Sequence, residues 1–251
     1  MSRLSFIKKN AILGVVAAAG LTSLAESASA AELRVLGAGA IEPGLKSAAS
    51  LFEKQTGNTA PELRKRINGN PDFDVVIAPT AVIGDFAAAS KLAETRASVG
   101  RVGMGMAGRD GAPMPDISNA DALRRSVLDA ESLVFNRAST GLYLENLLKM
   151  MDVYTQVESN TNRYADGASV LEPVIKGKGR EIGFGAMTEI LLYRGKGLKL
   201  VGPVPAEVKN YTSYTAAPPF ESGQQAAVAQ QFVAFLDSPG KPLFVAAGVT
   251  D

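Results

Sequence analysis

Ser139-Thr140-Gly141 follows an apolar run, Leu133-Val134-Phe135, through the link Asn136-Arg137-Ala138. The pattern reads as a buried strand that turns into a helix running from about Gly141 to Met151. Such a turn places two hydroxyls and unpaired backbone N–H groups at the positive end of a helix. The chemistry open to it is recognition of an anion or a polar oxygen. Ser and Thr also serve as plain helix N-caps, so ligand contact by Ser139, Thr140 and Gly141 stands beside capping as an alternative. Arg137, in the same turn, suits a bidentate bond to a ligand carboxylate. It suits an ion pair with Glu145 or Asp166 equally well. Thr80 follows the strand-like Asp74–Ala78 and is either a ligand donor or an ordinary turn residue. Tyr211 and Tyr214 either reach a ligand or pack a hinge.

Nucleophilic chemistry is poorly supplied. The chain has no Cys and no His, which excludes thiol catalysis, the Ser-His-Asp triad, and His or thiolate metal sites. A secreted enzyme using Ser139 as nucleophile would need Lys or a carboxylate as its base, and none is evident nearby. No cofactor or metal site is expected.

The elements that must position these residues alternate between strand and helix. Short strands are expected at Leu33–Leu36, Asp74–Ala78, Arg101–Ala107, Leu133–Asn136, Glu181–Phe184 and Leu198–Val201, with an extended segment over 208–217. Helices are expected from Pro43 to Gly57, where Leu45, Ala48, Ala49 and Phe52 share a face, then over Ala60–Ile67, Val82–Leu92, Ala120–Leu128, Gly167–Lys176 and Gly223–Asp237. Glu189–Tyr193 reads as a short helix or strand. A last helix is expected to start at Ser238-Pro239 and to end near Gly248. This order argues for parallel sheets wrapped by helices, whose ligands bind beyond the carboxyl ends of strands. Four turns occupy such ends: Gly37–Ala40, Pro79–Thr80, Asn136–Thr140 and Gly185–Thr188. They add Ala40 and Thr188 to the candidate ligand residues. Gly103, Gly105 and Gly108 match a dinucleotide-binding spacing, but they lie within a strand and Arg109-Asp110-Gly111 follows instead of a helix, so that reading is rejected.

Among 251 residues, 46% are hydrophobic and 20% charged, and the formal net charge is +1. That composition implies an ordinary globular core. It lacks the concentrated basic face that nucleic-acid binding requires. Residues 1–30 read as a signal peptide: Arg3, Lys8 and Lys9 precede the apolar Ala11–Leu24, and Ala28-Ser29-Ala30 fits a cleavage site. The apolar run is shorter than the roughly 20 residues of a membrane span. Export to the periplasm is therefore expected.

Phe52-Glu53-Lys54-Gln55-Thr56-Gly57, Asp72-Phe73-Asp74-Val75-Val76-Ile77-Ala78-Pro79, Asn136-Arg137-Ala138-Ser139-Thr140-Gly141, Glu181-Ile182-Gly183-Phe184-Gly185 and Phe235-Leu236-Asp237-Ser238-Pro239 occur in this order behind the signal peptide. In this arrangement the chain resembles the type II periplasmic solute-binding proteins of ABC transporters, in particular the molybdate-binding branch, over nearly all of Glu32–Val249. The resemblance implies two α/β lobes, each a mostly parallel sheet flanked by helices, joined by two crossing hinge strands. Lobe one would be 31–105 with 212–251, and lobe two 106–211. It implies a monomer that delivers a small anionic solute to a membrane permease. Three features depart from the molybdate pattern. Gly39-Ala40 stands where an Ala-Ser pair is usual. Ala186 stands where a Tyr is usual. Only Asn58-Thr59-Ala60 remains where a strand and a Gly-Ser-Ser-Gly loop are usual, so that strand reads as deleted. Two receptor functions follow: one for an oxyanion such as molybdate or tungstate, and one for an organic acid or other polar metabolite, which Arg137 and the missing hydroxyls favour.

Overall fold

A computed structural model describes residues 35–48, 55–58, 73–89, 91–219 and 226–251. Its strands are β1 (Val35–Ala38), β2 (Gln55–Asn58), β3 (Val75–Pro79), β4 (Ala97–Arg109), β5 (Ser132–Asn136), β6 (Thr161–Tyr164), β7 (Glu181–Ala186), β8 (Leu198–Pro203) and β9 (Tyr211–Ala217). Its helices are α1 (Glu42–Ala48), α2 (Thr80–Ala88), α3 (Ala120–Asp129), α4 (Ser139–Met150), α5 (Tyr154–Val157), α6 (Gly167–Lys176), α7 (Met187–Leu191), α8 (Ala226–Asp237) and α9 (Lys241–Ala246).

The sheet runs β2-β1-β3-β9-β4-β7-β5-β6, with β8 also paired to β4. Pairing is parallel where β1 meets β2 and β3, and where β5 meets β6 and β7. Every antiparallel pairing involves β4 or β9. β4 changes partners halfway. Ala97–Gly103 pairs with β9, whereas Met104–Arg109 pairs with β7 and β8. β4 thereby spans both parts of the sheet, and β9 returns the chain between β3 and the first half of β4, as in a two-lobe α/β fold.

The buried side chains divide in the same way. One cluster joins β1, β3, β9 and the first half of β4 to α1, α2, α8 and α9, through residues such as Ile41, Val76, Val99, Phe232 and Phe244. Another joins the second half of β4 to α3, β5, α4 and β7 through Met106, Leu123, Phe135, Leu147 and Phe184. A third seats α6 and α7 on the sheet through Val134, Val170, Val174 and Ile190. β1 and β3 are buried along their whole length, as strands covered on both faces must be. The β4 glycines serve packing. A Cβ on Gly105 would stand 2.8 Å from Met187 Cγ, and one on Gly103 3.2 Å from the Tyr211 ring.

Several expectations are corrected. The strand expected to be deleted is present as β2, parallel to β1, and lies at Gln55–Asn58, where the sequence suggested a helix end. The register shifts between the Leu36–Gln55 and Ala38–Asn58 pairs, so Gly57 falls at the irregularity. Gly37 and Ala38 belong to β1, and Gly39–Ile41 form a 3₁₀ turn instead of a loop. α4 starts at Ser139, two residues before the expected Gly141. β6, with the sequence Thr-Asn-Arg-Tyr, carried no apolar signal and was missed; its place at the sheet edge demands none. The last helix starts at Lys241 behind Gly240, and neither Ser238 nor Pro239 caps it. Gly167–Lys176 is helical as expected, and Asn119 caps α3 by accepting the Ala122 N–H at 2.9 Å. Ala60–Ile67, residues 1–34 and Ala49 and Phe52 lie outside the described residues. Among the described residues no helix is long and apolar enough to cross a membrane.

Candidate functional site

The carboxyl ends of β1, β3, β5, β6 and β7 converge on one cleft of about 230 Å³. Ala38, Gly39 and Ala40 enter it behind β1, and Pro79 behind β3. Ser139 and Thr140 enter behind β5, Asp166 and Gly167 behind β6, and Ala186 and Glu189 behind β7. Tyr214 of β9 and the exposed Leu192 complete much of the wall. The sequence identified four of these five strand ends.

The first turn of α4 is held open by Asn136. This buried side chain uses one oxygen, Oδ1, to accept the N–H groups of Ala138 and Gly141, each at 3.0 Å. Ala138 at the N-cap supplies no side-chain bond. The intervening N–H groups of Ser139 and Thr140 have no partner among the described residues, as helix first turns leave them, and both residues line the cleft. Gly141 is not a lining residue. A Cβ there would overlap the Asn136 carbonyl, so this glycine allows the helix to start close under β5.

Glu189 is the principal residue that the sequence did not reveal. Its carboxyl lies between Gly39 and Gly167. A Cβ on Gly39 would stand 2.6 Å from Oε1, and one on Gly167 would overlap Oε2. It has no ion pair among the described residues. Burial raises its pKa to about 7, the like charges of Asp166 and Glu42 add to the rise, and a hydrogen bond with the Ala186 backbone opposes it. Its neighbours are better compensated. Asp166 caps α6, accepting the Ser169 N–H at 2.7 Å. Glu42 pairs with Lys46 at 2.5 Å. The Tyr214 phenol is raised above its ordinary range by burial and then by the charge of Glu189. Asp166 carried a readable signal, an Asp before a helix start. Glu189 carried none, because its role depends on two glycines distant in sequence.

The candidate ligand residues thus separate into two groups. Ser139, Thr140, Ala40 and Tyr214 line the cleft. Arg137, Thr80, Thr188, Tyr211 and Gly141 do not. Arg137 is exposed and pairs with neither Glu145 nor Asp166. Glu145 instead holds Lys149 and Arg163. Thr80 turns away to share a 2.9 Å hydrogen bond with Thr215. Thr188 is buried and donates to the Ala40 carbonyl at 2.5 Å, tying α7 to the β1 turn. Tyr211 stacks under the Arg101 guanidinium. Among the described residues no cluster of acidic side chains has metal-holding geometry. A second hollow, of about 320 Å³ near Arg109, Arg125 and Arg180, sits at the amino end of β7. There the Glu181 carboxylate is taken by the N–H groups of Lys178 and Gly179.

A two-lobe α/β fold with a solute-sized cleft at its strand ends defines a class of binding protein. The chain belongs to the bacterial extracellular solute-binding protein family, whose pattern matches residues 33–249. In sequence it is 27% identical, over 202 residues, to an aconitate isomerase from a Pseudomonas species, with 74% of each chain covered. In structure it is similar to the Azotobacter vinelandii periplasmic molybdate-binding protein, with a TM-score of 0.67, 16% identity, and coverage of 88% of this chain and 99% of the other. It is also similar to PEB3 bound to L-phospholactate, with a TM-score of 0.64, 12% identity, and coverage of 88% and 100%.

Proposed function

We propose that this chain is a periplasmic receptor that holds a small anionic solute in the cleft and passes it to an ABC-transporter permease. In this reading it acts as a monomer after residues 1–30 are removed. Its lobes are 31–105 with 212–251, and 106–211. The solute class we favour is a carboxylic acid.

One observation carries the choice of solute: Glu189 shares the cleft with the open first turn of α4. A ligand carboxylate can rest on the Ser139 and Thr140 N–H groups while a neutral part of the same molecule faces Glu189. A tetrahedral dianion has no neutral end. Like unit charges about 5 Å apart repel by about 3 kcal/mol at an effective dielectric near 20. A helix N-terminus returns roughly 0.3–2 kcal/mol, so an oxyanion held there gains only while Glu189 is protonated, whereas an organic acid can turn an uncharged carbon toward it. The sequence relative named for aconitate, a tricarboxylic acid, supports the same class.

Thermal melting of the purified protein tests the reading, since a ligand that binds only the folded form raises the melting temperature. We expect cis- or trans-aconitate at millimolar concentration to raise it, and molybdate, tungstate and sulfate to leave it unmoved. A shift from the oxyanions alone would reverse the choice of solute. No shift from either class would overturn the receptor reading.

A further inference from the structure

We propose that the cleft also moves a proton, with Glu189 as the base in a 1,3-proton shift on a bound unsaturated carboxylic acid whose carboxylate rests on the first turn of α4. The inference rests on the carboxylic-acid reading above and extends it from holding a solute to converting one.

The geometry places the two parts of such a reaction in one enclosure. Gly39 and Gly167 leave space for the Glu189 carboxyl at the cleft wall, and any side chain at either position would meet it. Among the described residues the carboxyl has no cation to neutralise it, while Asp166 is occupied by the α6 terminus and Glu42 by Lys46. A receptor that only stored an anion would gain no more from an uncompensated carboxyl at its ligand than rejection of dianions. A base working near neutral pH requires one, and the burial of Glu189 shifts its titration toward that range. The opposite wall supplies what the carbanion needs. Charge developing on the substrate delocalises into its carboxylate, which this proposal seats on the first turn of α4, where Ser139 and Thr140 line the cleft and Asn136 takes the flanking N–H groups.

The step balances without a further reagent. Glu189 takes a proton from the methylene that is both α to a carboxyl group and allylic to the C=C bond. The C–H electron pair becomes the new C=C bond. The pair of the old C=C bond forms a C–H bond at its far carbon with the proton that Glu189 returns. Glu189 ends as it began, and the acid leaves with its double bond moved, in cis or trans geometry according to the conformer held.

The test is proton NMR of trans-aconitate with the purified protein in D₂O, beside the melting assay. We expect protein-dependent deuterium entry at the methylene and formation of the cis isomer. Glu189→Gln should slow both at least about 100-fold while keeping the ligand-dependent melting shift. Should that variant fold poorly, Glu189→Asp, which keeps a carboxyl, should retain measurable exchange, and a folded Asp variant with none counts against the proposal. A melting shift with neither deuterium entry nor formation of the cis isomer overturns the inference and leaves the receptor reading intact. Exchange as fast in Glu189→Gln as in the parent also overturns it. Absence of any melting shift removes the carboxylic-acid reading and this inference together.

Discussion

Replacing Glu189 by Gln keeps the shape of the side chain lodged against Gly39 and Gly167 and removes its titration. The folded-state pKa of about 7 lies above the ordinary 4.5. Between those values the folded chain binds more protons than the unfolded one, so stability falls as pH rises through that window. Below about 4.5 both states are protonated and the effect is absent, whereas above about 7 the full penalty remains. A rise of that size corresponds to at most about 3 kcal/mol, and partial exposure of the residue reduces it. We therefore expect denaturant unfolding to show Glu189→Gln gaining stability over the parent between pH 5 and pH 8; equal differences at the two pH values would contradict this. On the proposed receptor reading, anion binding follows the same proton. Asp166, Glu42, Lys46, Tyr193 and Tyr214 share the cleft with Glu189, and none of the three acids gains from a further negative charge. Carboxylate affinity should thus tighten as pH falls from 8 to 6 in the parent, and calorimetry should find that dependence flattened in Glu189→Gln. Single residues were the least legible scale in the sequence. Ser139 and Thr140 could be named because hydroxyls at a strand-to-helix turn either cap the helix or meet a ligand. Glu189 could not, because an acid in a short helix looks the same whether it faces water or a cleft.

The β5–α4 junction shows what was legible one level up. Alternation of apolar strands with amphipathic helices located β5, α4, α6 and β7 within a few residues, since burial on both sheet faces forces continuous apolar runs. The junction itself escaped, because the cap is not the expected Ser or Thr but Asn136, an in-strand residue reaching over the turn. Asn136→Ala should leave the Ala138 and Gly141 N–H groups without an acceptor and cost roughly 0.5–2 kcal/mol, the usual range for a lost cap. Gly141→Ala should cost roughly 1–3 kcal/mol or more by overpacking against the Asn136 carbonyl. Both are measured by equilibrium unfolding, and a neutral Gly141→Ala would mean that α4 can shift outward without loss. β2 and β6 fall at the other extreme. Edge strands need only one paired neighbour, so Gln-Thr-Gly-Asn and Thr-Asn-Arg-Tyr carry no hydrophobic pattern to read.

At the scale of the molecule, two lobes and two crossing strands were expected from the resemblance to solute-binding proteins, and β4 is the long strand that exchanges β9 for β7 and β8. Order along the chain did not show which residues meet in the cleft, since that depends on five strand ends brought together from Ala38 to Ala186. The same architecture suggests how the receptor would respond to its solute. The buried clusters divide about the point where β4 exchanges β9 for β7 and β8. Rotation there bends two ladders without opening either core, which is the economy of hinge closure. A ligand touching both α4 and the β1 turn favours the closed form by its differential contacts alone. Small-angle scattering should then record a smaller radius of gyration with a saturating carboxylic acid than without it. Gly105→Ala, which presses on Met187 at the point of partner exchange, should reduce that change more than it reduces stability. An unchanged radius in the parent, with the melting shift present, would mean that the solute enters a cleft already closed.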